Sequence, residues 1–175
     1  MLVVRYGAGE WGVGELWFDG AVPAWHELPT RARTLRPPQG RGGSAAPTRT
    51  LAAPDARAGD DSVPELAHRI ARYFAGERVS FADVELDLEW CTPFQRAVAD
   101  ALRAVPYGET VTYGELAALA GYPNAQRAAG TFCAHNRLPL ILPCHRVVAA
   151  AGLGSYGALG VAYKRRLLEL ERAAV

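Results

Sequence analysis

Alternating apolar and polar positions dominate the first 28 residues of the chain. The stretches LVVRY, GVGELWF and AVPAWHEL are rich in β-branched and aromatic residues, and glycines and the turn sequence FDG separate them. Successive side chains of a strand point to opposite faces, so this alternation is typical of strands that are buried on one side. The pattern predicts a small antiparallel sheet over residues 1–28.

Residues 30–62 have no hydrophobic period and are rich in Pro, Gly, Ala and Arg. Such a composition cannot bury enough apolar surface to order itself, so we expect a flexible excursion. Its six arginines stand against one acidic residue before position 59. They could contact phosphates, although a solvated loop is the simpler interpretation.

Helical spacing follows this excursion. In VPELAHRIARYFAG, apolar side chains recur at Leu66, Ile70 and Phe74, and Gly76 ends the predicted helix. The next stretch, VELDLEW, alternates and predicts a strand. Sheet, excursion and helix together predict a first domain, an N-terminal α/β lobe over residues 1–90.

A new unit begins with a helix start signal. Thr92 is a good N-cap, Pro93 suits the first helical position, and Gln95 completes a capping box. Thr112 and Glu115 repeat the capping-box pattern at the start of a second helix, after the turn sequence YGET. Both signals predict helices that start at defined residues.

Two short helices, GELAALAG and NAQRAAGTFCAHN, flank a link that contains Gly121 and Pro123. This arrangement is typical of a helix-turn-helix. LPLILP then predicts a short strand or extended segment that leads to Cys144, and a glycine-rich loop precedes a closing helix, VAYKRRLLELERA. The predicted fold class is α+β: a small antiparallel sheet with a helix, then a helical, winged-helix-like domain over residues 91–175.

Charge is distributed unevenly along a chain whose net charge is only +1. Residues 1–90 carry 10 basic and 13 acidic side chains, a net −3, whereas residues 91–175 carry 9 and 5, a net +4. The second half therefore favours an anionic partner.

The chain has three cysteines, an odd number that cannot all pair. With no secretory hydrophobic region at its start, this predicts free thiols in a reducing, cytoplasmic setting. No apolar run approaches the length of a membrane span, so no membrane association is expected.

The candidate chemistry lies in ILPCHRVVAA, where Cys144 and His145 are adjacent. A thiol reacts as its thiolate and needs a base nearby, and a water could carry the proton because adjacent side chains rarely face each other. Glu171 lies four residues after Leu167 and three after Leu168, on the inward face of the closing helix. A buried carboxylate needs a partner, which makes Glu171 a candidate to orient the imidazole.

Other interpretations of the same residues remain open. A buried cysteine is often only a small hydrophobe, and Glu171 could simply form an ion pair with Arg146. A plain Cys-His hydrolase is another possibility, but no oxyanion arrangement is evident. A metal site is a further alternative, although its spacing fits no usual zinc pattern; its ligands would be Cys133, His135, Cys144 and His145.

In residues 92–171 the order and spacing of several motifs resemble the O6-alkylguanine-DNA alkyltransferases. The motifs are TPFQRAV, YGETVTYGELA, the helix with Arg127, and PCHRV. The N-terminal half resembles that family only in its layout of sheet, loop and helix. The C-terminal domain would accordingly be the DNA-binding and alkyl-acceptor domain.

The resemblance implies a DNA repair enzyme that acts once. It would move an alkyl group from O6 of guanine, with O4 of thymine as a second candidate, onto Cys144 irreversibly. His145 would deprotonate Cys144 through a water, and Glu171 would hold His145. Tyr113 would donate to the leaving base or crowd the phosphate, and Asn136 would tie the helices to the active-site segment.

The resemblance also implies a partner, double-stranded DNA, bound through the minor groove with the target nucleotide rotated out of the stack. Arg127 would fill the gap left in the duplex. The other implied DNA-binding residues are Gln95, Gly114, Tyr122 and Ala128. The implied pocket residues are Cys133, Val147, Tyr156, Gly157, Ala158 and Lys164. The implied protein is a cytoplasmic monomer, nucleoid-associated when bound to DNA, with no cofactor and no metal.

Some positions depart from the family pattern. In GSYGALG, Tyr156 comes one position early, and Leu159 stands where a glycine is expected. Cys133 replaces a larger residue and could be a second thiol within reach of adducts. Two alternatives follow: an acceptor specialised for bulky adducts, or a damage-binding protein without transfer, whose relatives lack the nucleophile that Cys144 supplies here.

Overall fold

The computed structural model describes three stretches of the chain: residues 1–31, 48–51 and 64–172. The chain divides into two compact units. One comprises Met1–Val79 and Val84–Asp87, and the other Ser80–Asp83 and Leu88–Val175.

A four-stranded sheet forms the first unit, in the order β3-β2-β1-β4. Its strands are β1 (Leu2–Gly7), β2 (Val13–Asp19), β3 (Val22–Thr30) and β4 (Thr48–Leu51). The first three pair antiparallel, as the alternating pattern predicted, and this prediction is confirmed.

The strand β4 pairs with β1 in parallel and lies inside the stretch expected to be irregular. The prediction of one continuous flexible excursion over residues 30–62 is therefore wrong at Thr48–Leu51. The reason is physical: an edge strand offers unpaired backbone groups to any extended segment, whatever its side chains. The rest of that stretch, residues 32–47 and 52–63, lies outside the described residues.

One helix, α1 (Glu65–Phe74), packs on β1 through aromatic contacts. The ring of Phe74 stacks on Tyr6 with centroids 6.2 Å apart and meets Trp11 edge-on at 5.2 Å. A Cβ at Gly14 would lie 2.3 Å from the Tyr6 ring, so the close approach of that ring requires glycine there. An aromatic cluster thus holds the helix to the sheet.

The strand predicted from VELDLEW is absent, and that prediction is wrong. Residues 84–88 do alternate in burial, with Val84 buried and Glu85 and Asp87 exposed. Among the described residues no strand pairs with this stretch, however, and alternation without a hydrogen-bonding partner makes no ladder.

Four helices and a short parallel strand pair build the second unit. The helices are α2 (Pro93–Arg103), α3 (Tyr113–Leu119), α4 (Gln126–Ala134) and α5 (Gly160–Leu170). The paired strands are β5 (Val111–Thr112) and β6 (Val147–Val148). The predicted helix-turn-helix is α3 and α4, joined by a link in which Gly121 and Asn124 have positive φ.

The segment LPLILP forms no strand. It turns back on itself, with a single bridge between Pro139 and Leu142 and a left-handed backbone at Leu140. Its side chains are mostly buried, so its apolar character reflects packing rather than a sheet. It leads into a 3-10 turn over Cys144–Arg146.

Both predicted capping boxes form. Thr92 Oγ1 accepts from the Gln95 backbone N–H at 3.2 Å, and Gln95 Oε1 accepts from the Thr92 N–H at 2.9 Å. At α3 the corresponding distances between Thr112 and Glu115 are 3.2 Å and 2.6 Å. Each box satisfies two backbone donors that a helix end leaves without partners.

Within the described ranges, every helix is too short or too polar to cross a lipid bilayer. The same ranges contain no cluster of three or more His, Cys, Asp or Glu side chains arranged to hold a metal ion.

Replacing Thr92 by Ala should lower the free energy of unfolding by about 1 kcal/mol, because the α2 N-terminus loses its cap. Thr92→Ser keeps the hydroxyl oxygen and is the matched control. Denaturant unfolding of the three proteins measures the difference, and equal midpoints for Thr92→Ala and the parent would contradict a stabilising cap.

Candidate functional site

Cys144 opens the 3-10 turn and is 6% exposed. The side chain of Asn136, two residues beyond the end of α4, reaches it. Asn136 Nδ2 donates to Cys144 Sγ at 3.1 Å and to the Leu142 carbonyl at 2.7 Å, while Asn136 Oδ1 accepts from the Leu138 N–H at 2.9 Å. One amide side chain therefore joins the helix-turn-helix to the segment that carries the thiol.

The thiol of Cys144 is protonated at rest. Burial raises its pKa above the ordinary value, and this effect outweighs the hydrogen bonds from Asn136 and Tyr156 and the positive charge of Lys164. A neutral buried thiol is a poor nucleophile until a base removes its proton.

A possible base lies beside it on the same turn. His145 is fully buried, and its Nε2 lies 2.8 Å from Glu171 Oε1. Burial lowers the pKa of His145 despite the opposing effect of Glu171, so the ring is neutral near pH 7. An ionised carboxylate can only accept, so Nε2 carries the proton and Nδ1 carries the lone pair that can take up another.

Glu171 follows the last residue of α5, and its carboxylate accepts hydrogen bonds from Arg146 and from a backbone N–H as well as from His145. Arg146 Nε donates to Oε2 at 2.9 Å and Nη2 to Oε1 at 2.9 Å, and the Gly108 N–H donates to Oε2 at 3.1 Å. Arg146 Nη1 also donates to the Val105 carbonyl at 2.8 Å. The two sequence interpretations of Glu171, imidazole partner and ion pair with Arg146, are both realised.

The pKa of Glu171 lies far below its ordinary value. Burial alone would raise it, but the hydrogen bonds from His145 and Arg146 and the positive charge of Arg146 overcome that effect. The carboxylate is therefore ionised at any pH at which the protein works. It holds the imidazole in one tautomer and one orientation.

Lys164 is a buried cation on α5 with no exposed surface. Its Nζ donates to the Val147 carbonyl and, at 3.4 Å, to the Ser155 carbonyl, and it lies 5.8 Å from the centroid of the Tyr113 ring. Burial lowers its pKa, whereas Cys144 and Cys133 oppose that shift. Lys164 therefore links the glycine-rich loop to β6 through hydrogen bonds to both.

Tyr113 is the first residue of α3, and its ring fits between two glycines. A Cβ built at Gly130 would lie 3.7 Å from the ring, and one at Gly154 would lie 3.5 Å from it. Burial is the main cause that raises the pKa of Tyr113 to about 12, with smaller effects from the nearby Cys133 and Cys144 side chains. At neutral pH the phenol is therefore a hydrogen-bond donor.

The remaining predicted pocket residues lie on β6, α4 and the loop before α5. Val147 is fully buried, Cys133 is half-buried, and Tyr156 stacks on Tyr163 with ring centroids 6.2 Å apart. Gly157 and Ala158 are exposed. The Tyr156 side chain lies close enough to Cys144 to lower the pKa of its thiol, although burial outweighs this effect.

The predicted DNA-binding residues lie on α2, α3, α4 and the link between the last two. Arg127, Ala128 and Gly114 are exposed, and Tyr122 is 40% exposed with its ring edge-on to Phe94 at 5.0 Å. The side-chain amide of Gln95 is engaged in the capping box. An exposed arginine beside small residues leaves the surface of α4 open to close approach.

Sequence reasoning missed the backbone groups that complete the site, the Gly108 N–H and the Val105 carbonyl. Gly108 lies within the turn YGET and Val105 lies two residues before it; the sequence signals a turn there but not what the turn contacts. The proposed metal ligand His135 instead directs Nδ1 to the Thr131 carbonyl at 2.8 Å.

Known proteins share both the sequence and the fold. Residues 93–173 match the family model described as 6-O-methylguanine DNA methyltransferase, DNA binding domain. The methylated-DNA–protein-cysteine methyltransferase of Mycobacterium bovis is 48% identical over 128 residues, 73% of each chain. That of Methanosarcina acetivorans is 47% identical over 107 residues, 61% of this chain and 67% of the relative.

Solved structures of related proteins show the same fold. The crystal structure of Mycobacterium tuberculosis OGT in complex with DNA superposes with a TM-score of 0.74 at 35% identity, covering 98% of this chain and 93% of the other. An O6-methylguanine-DNA methyltransferase from Pyrococcus kodakaraensis, 22% identical, shares the fold with a TM-score of 0.64 over 97% and 98% of the two chains. The chain therefore belongs to the methylated-DNA–protein-cysteine methyltransferase family.

Proposed function

We propose that the protein repairs DNA by direct reversal, taking an alkyl group from O6 of guanine onto Cys144. The observation that carries this proposal is a buried thiol beside an imidazole whose tautomer is set by an ionised carboxylate, in a member of this family. The C-terminal unit holds the chemistry and the DNA-binding surface. The site of action is DNA in the cytoplasm.

The transfer is a displacement at carbon. His145 Nδ1 removes the Cys144 proton through a water, and the thiolate attacks the alkyl carbon in line with the bond to O6. The S–C bond forms while the C–O6 bond breaks, and the electron pair leaves with the base. Tyr113, protonated at neutral pH, donates a hydrogen bond or a proton to the departing guanine.

The product is a thioether, which has no simple leaving group for water to displace, so each molecule reacts once. Cys144 is too deeply buried to meet a base inside a duplex, and the target nucleotide must therefore rotate out of the stack. Arg127 projects from α4 and fills the vacated space, while the small residues beside it let the helix enter the minor groove.

Two alternatives keep the same site. A damage-binding protein without transfer would have no use for the Cys144–His145–Glu171 arrangement. An acceptor specialised for bulky adducts is suggested by the altered loop, where Tyr156 and Tyr163 present stacked aromatic rings near the thiol.

Replacing Cys144 by Ser should abolish alkyl uptake while DNA binding persists, because the nucleophile is not needed for docking. Intact-protein mass after mixing with duplexes that contain O6-methylguanine or O6-benzylguanine measures uptake, and an electrophoretic shift measures binding. Cys91→Ser is the matched thiol control. Undiminished mass gain in Cys144→Ser would end the repair proposal, and a gain only with the benzyl duplex in the parent would favour the bulky client.

Replacing Arg127 by Ala should slow repair of duplex DNA more than reaction with free O6-benzylguanine, since only the duplex requires extrusion. It should also weaken DNA binding. The slope of the logarithm of the affinity against the logarithm of the salt concentration should fall by about one. Arg165→Ala removes the same charge from the exposed side of α5 and is the control. Equal loss on both substrates would contradict a role in extrusion.

Replacing Glu171 by Gln should lower the rate with free O6-benzylguanine and move the acidic limb of the pH–rate profile to lower pH. The carboxylate raises the pKa of His145, so its loss makes the imidazole a weaker base. Glu169→Gln, an exposed change on the same helix, is the control.

The same substitution tests stability. A carboxyl whose folded pKa is depressed stabilises the fold above its unfolded pKa, about 4.3, and loses that effect as pH falls towards the folded value. The destabilisation by Glu171→Gln should therefore shrink in acid. If Glu171→Gln left both the pH–rate profile and its maximal rate unchanged, Glu171 would have no part in the mechanism.

A further inference from the structure

Arg137 is an exposed cation that the proposed transfer does not use. It lies three residues beyond the last residue of α4, and its guanidinium carbon lies 4.4 Å from the centroid of the Trp90 ring. Trp90 lies two residues before the cap of α2 and is 41% exposed. Within the described ranges, the Arg137 side chain contacts this ring, and no hydrogen bond or ion pair engages its N–H groups.

The backbone that carries Trp90 is fixed on both sides. Arg96, on α2, donates from Nε to the Leu88 carbonyl at 3.1 Å and from Nη2 to the Glu89 carbonyl at 3.4 Å. The capping box at Thr92 holds the residues that follow the ring. Trp90 therefore presents its ring from a segment attached to α2 before and after it.

Arg137 is held with equal firmness on its own side. Asn136 Oδ1 accepts from the Leu138 N–H at 2.9 Å, and Leu138 is buried, so both neighbours of Arg137 are fixed. A guanidinium held over an aromatic face retains N–H donors for a second partner, and the planar donor set matches a phosphate. Because the side chain is ordered beforehand, binding an anion costs less conformational entropy.

The charge along α4 favours a polyanion as that partner. Residues 116–168 contain no Asp or Glu. Arg127, Thr131 and His135 form an exposed row at four-residue spacing, and Arg137 follows the end of this row. The row rises by about 12 Å along the helix axis, whereas B-DNA carries one phosphate charge per about 1.7 Å of its axis. A single duplex can therefore offer phosphates at both ends of α4.

We propose that Arg137, held over Trp90, binds a phosphate of the DNA backbone and is a second anchor of the duplex besides Arg127. The inference rests on the proposed function for its ligand, DNA. A phosphate contact sets the position of the duplex and carries no base information. Arg137 directly follows Asn136, whose Nδ2 donates to Cys144 Sγ at 3.1 Å, so the anchor lies one residue from a group that touches the thiol.

The test measures the affinity of the full chain for undamaged duplexes of several sequences at a series of salt concentrations. Arg137→Ala should lower the affinity about eightfold at about 0.1 M salt for every sequence, because one ion contact is lost. The slope of the logarithm of the affinity against the logarithm of the salt concentration should fall by about one. Arg137→Lys keeps the charge but not the planar donors, so it should retain the slope and lose only part of the affinity.

Arg165→Ala is the matched control, since it removes one exposed positive charge from α5, and it should leave the slope at the parent's value. Trp90→Leu removes the ring without changing the charge. It should weaken DNA binding in the parent but not in Arg137→Ala, because the ring acts through the guanidinium. Trp90→Phe keeps an aromatic face and should lose less affinity than Trp90→Leu.

An unchanged affinity and slope in Arg137→Ala would overturn the proposal, and so would equal weakening by Trp90→Leu in both backgrounds. A rate with free O6-benzylguanine that falls as far as the rate with alkylated duplex would show that Arg137 acts on the thiol through Asn136 instead. Displacement of duplex by inorganic phosphate at matched ionic strength, lost in Arg137→Ala, would assign the pair to a free anion. Absence of alkyl uptake by the parent would refute the proposed repair, while the comparison of affinities would still decide the role of Arg137.

Discussion

A single buried carboxylate holds the site together. Glu171 accepts hydrogen bonds from His145, Arg146 and the Gly108 N–H, so it joins the segment after α5, the thiol turn and the turn before β5. A buried charge is tolerated only when donors surround it, and removing one partner of such a group is strongly destabilising. The need to satisfy this carboxylate therefore fixes the orientation of the imidazole that follows Cys144 in the chain.

The groups around the thiol are arranged to keep it unreactive until needed. Burial raises the pKa of Cys144 and of Cys133, and it lowers that of His145, so all three are neutral at rest. Neutral groups are compatible with burial, whereas a permanently ionised thiolate would be costly in a buried position. This arrangement suits a protein whose nucleophile can be spent only once.

Two polar side chains link the elements around the thiol to one another. Asn136 extends from the end of α4 to the thiol, and Lys164 extends from α5 to β6 and the glycine-rich loop. Tyr113 begins the first helix of the helix-turn-helix and fits between Gly130 and Gly154. The helix-turn-helix and the sulfur of Cys144 are thus parts of one packed assembly.

The sequence alone determined the local features of this protein. Capping boxes at Thr92 and Thr112, the antiparallel strands of the first unit and the inward face of Glu171 are set by neighbouring residues, so short patterns predict them. The sequence also placed Cys144 beside His145. The strand predicted for VELDLEW does not form, because the alternating stretch pairs with no described strand. Residues Thr48–Leu51 do form a strand, paired with β1, although no pattern in the sequence predicted it.

Only the tertiary structure decided which distant groups meet. The Gly108 N–H and the Val105 carbonyl complete the polar network through backbone atoms, which every residue type has, so the sequence does not reveal these contacts. The double role of Glu171, towards His145 and Arg146 together, likewise depends on how the elements pack. Local patterns reflect interactions between residues that are close in sequence. These contacts instead join groups up to 63 positions apart and form only when the chain packs into its tertiary structure.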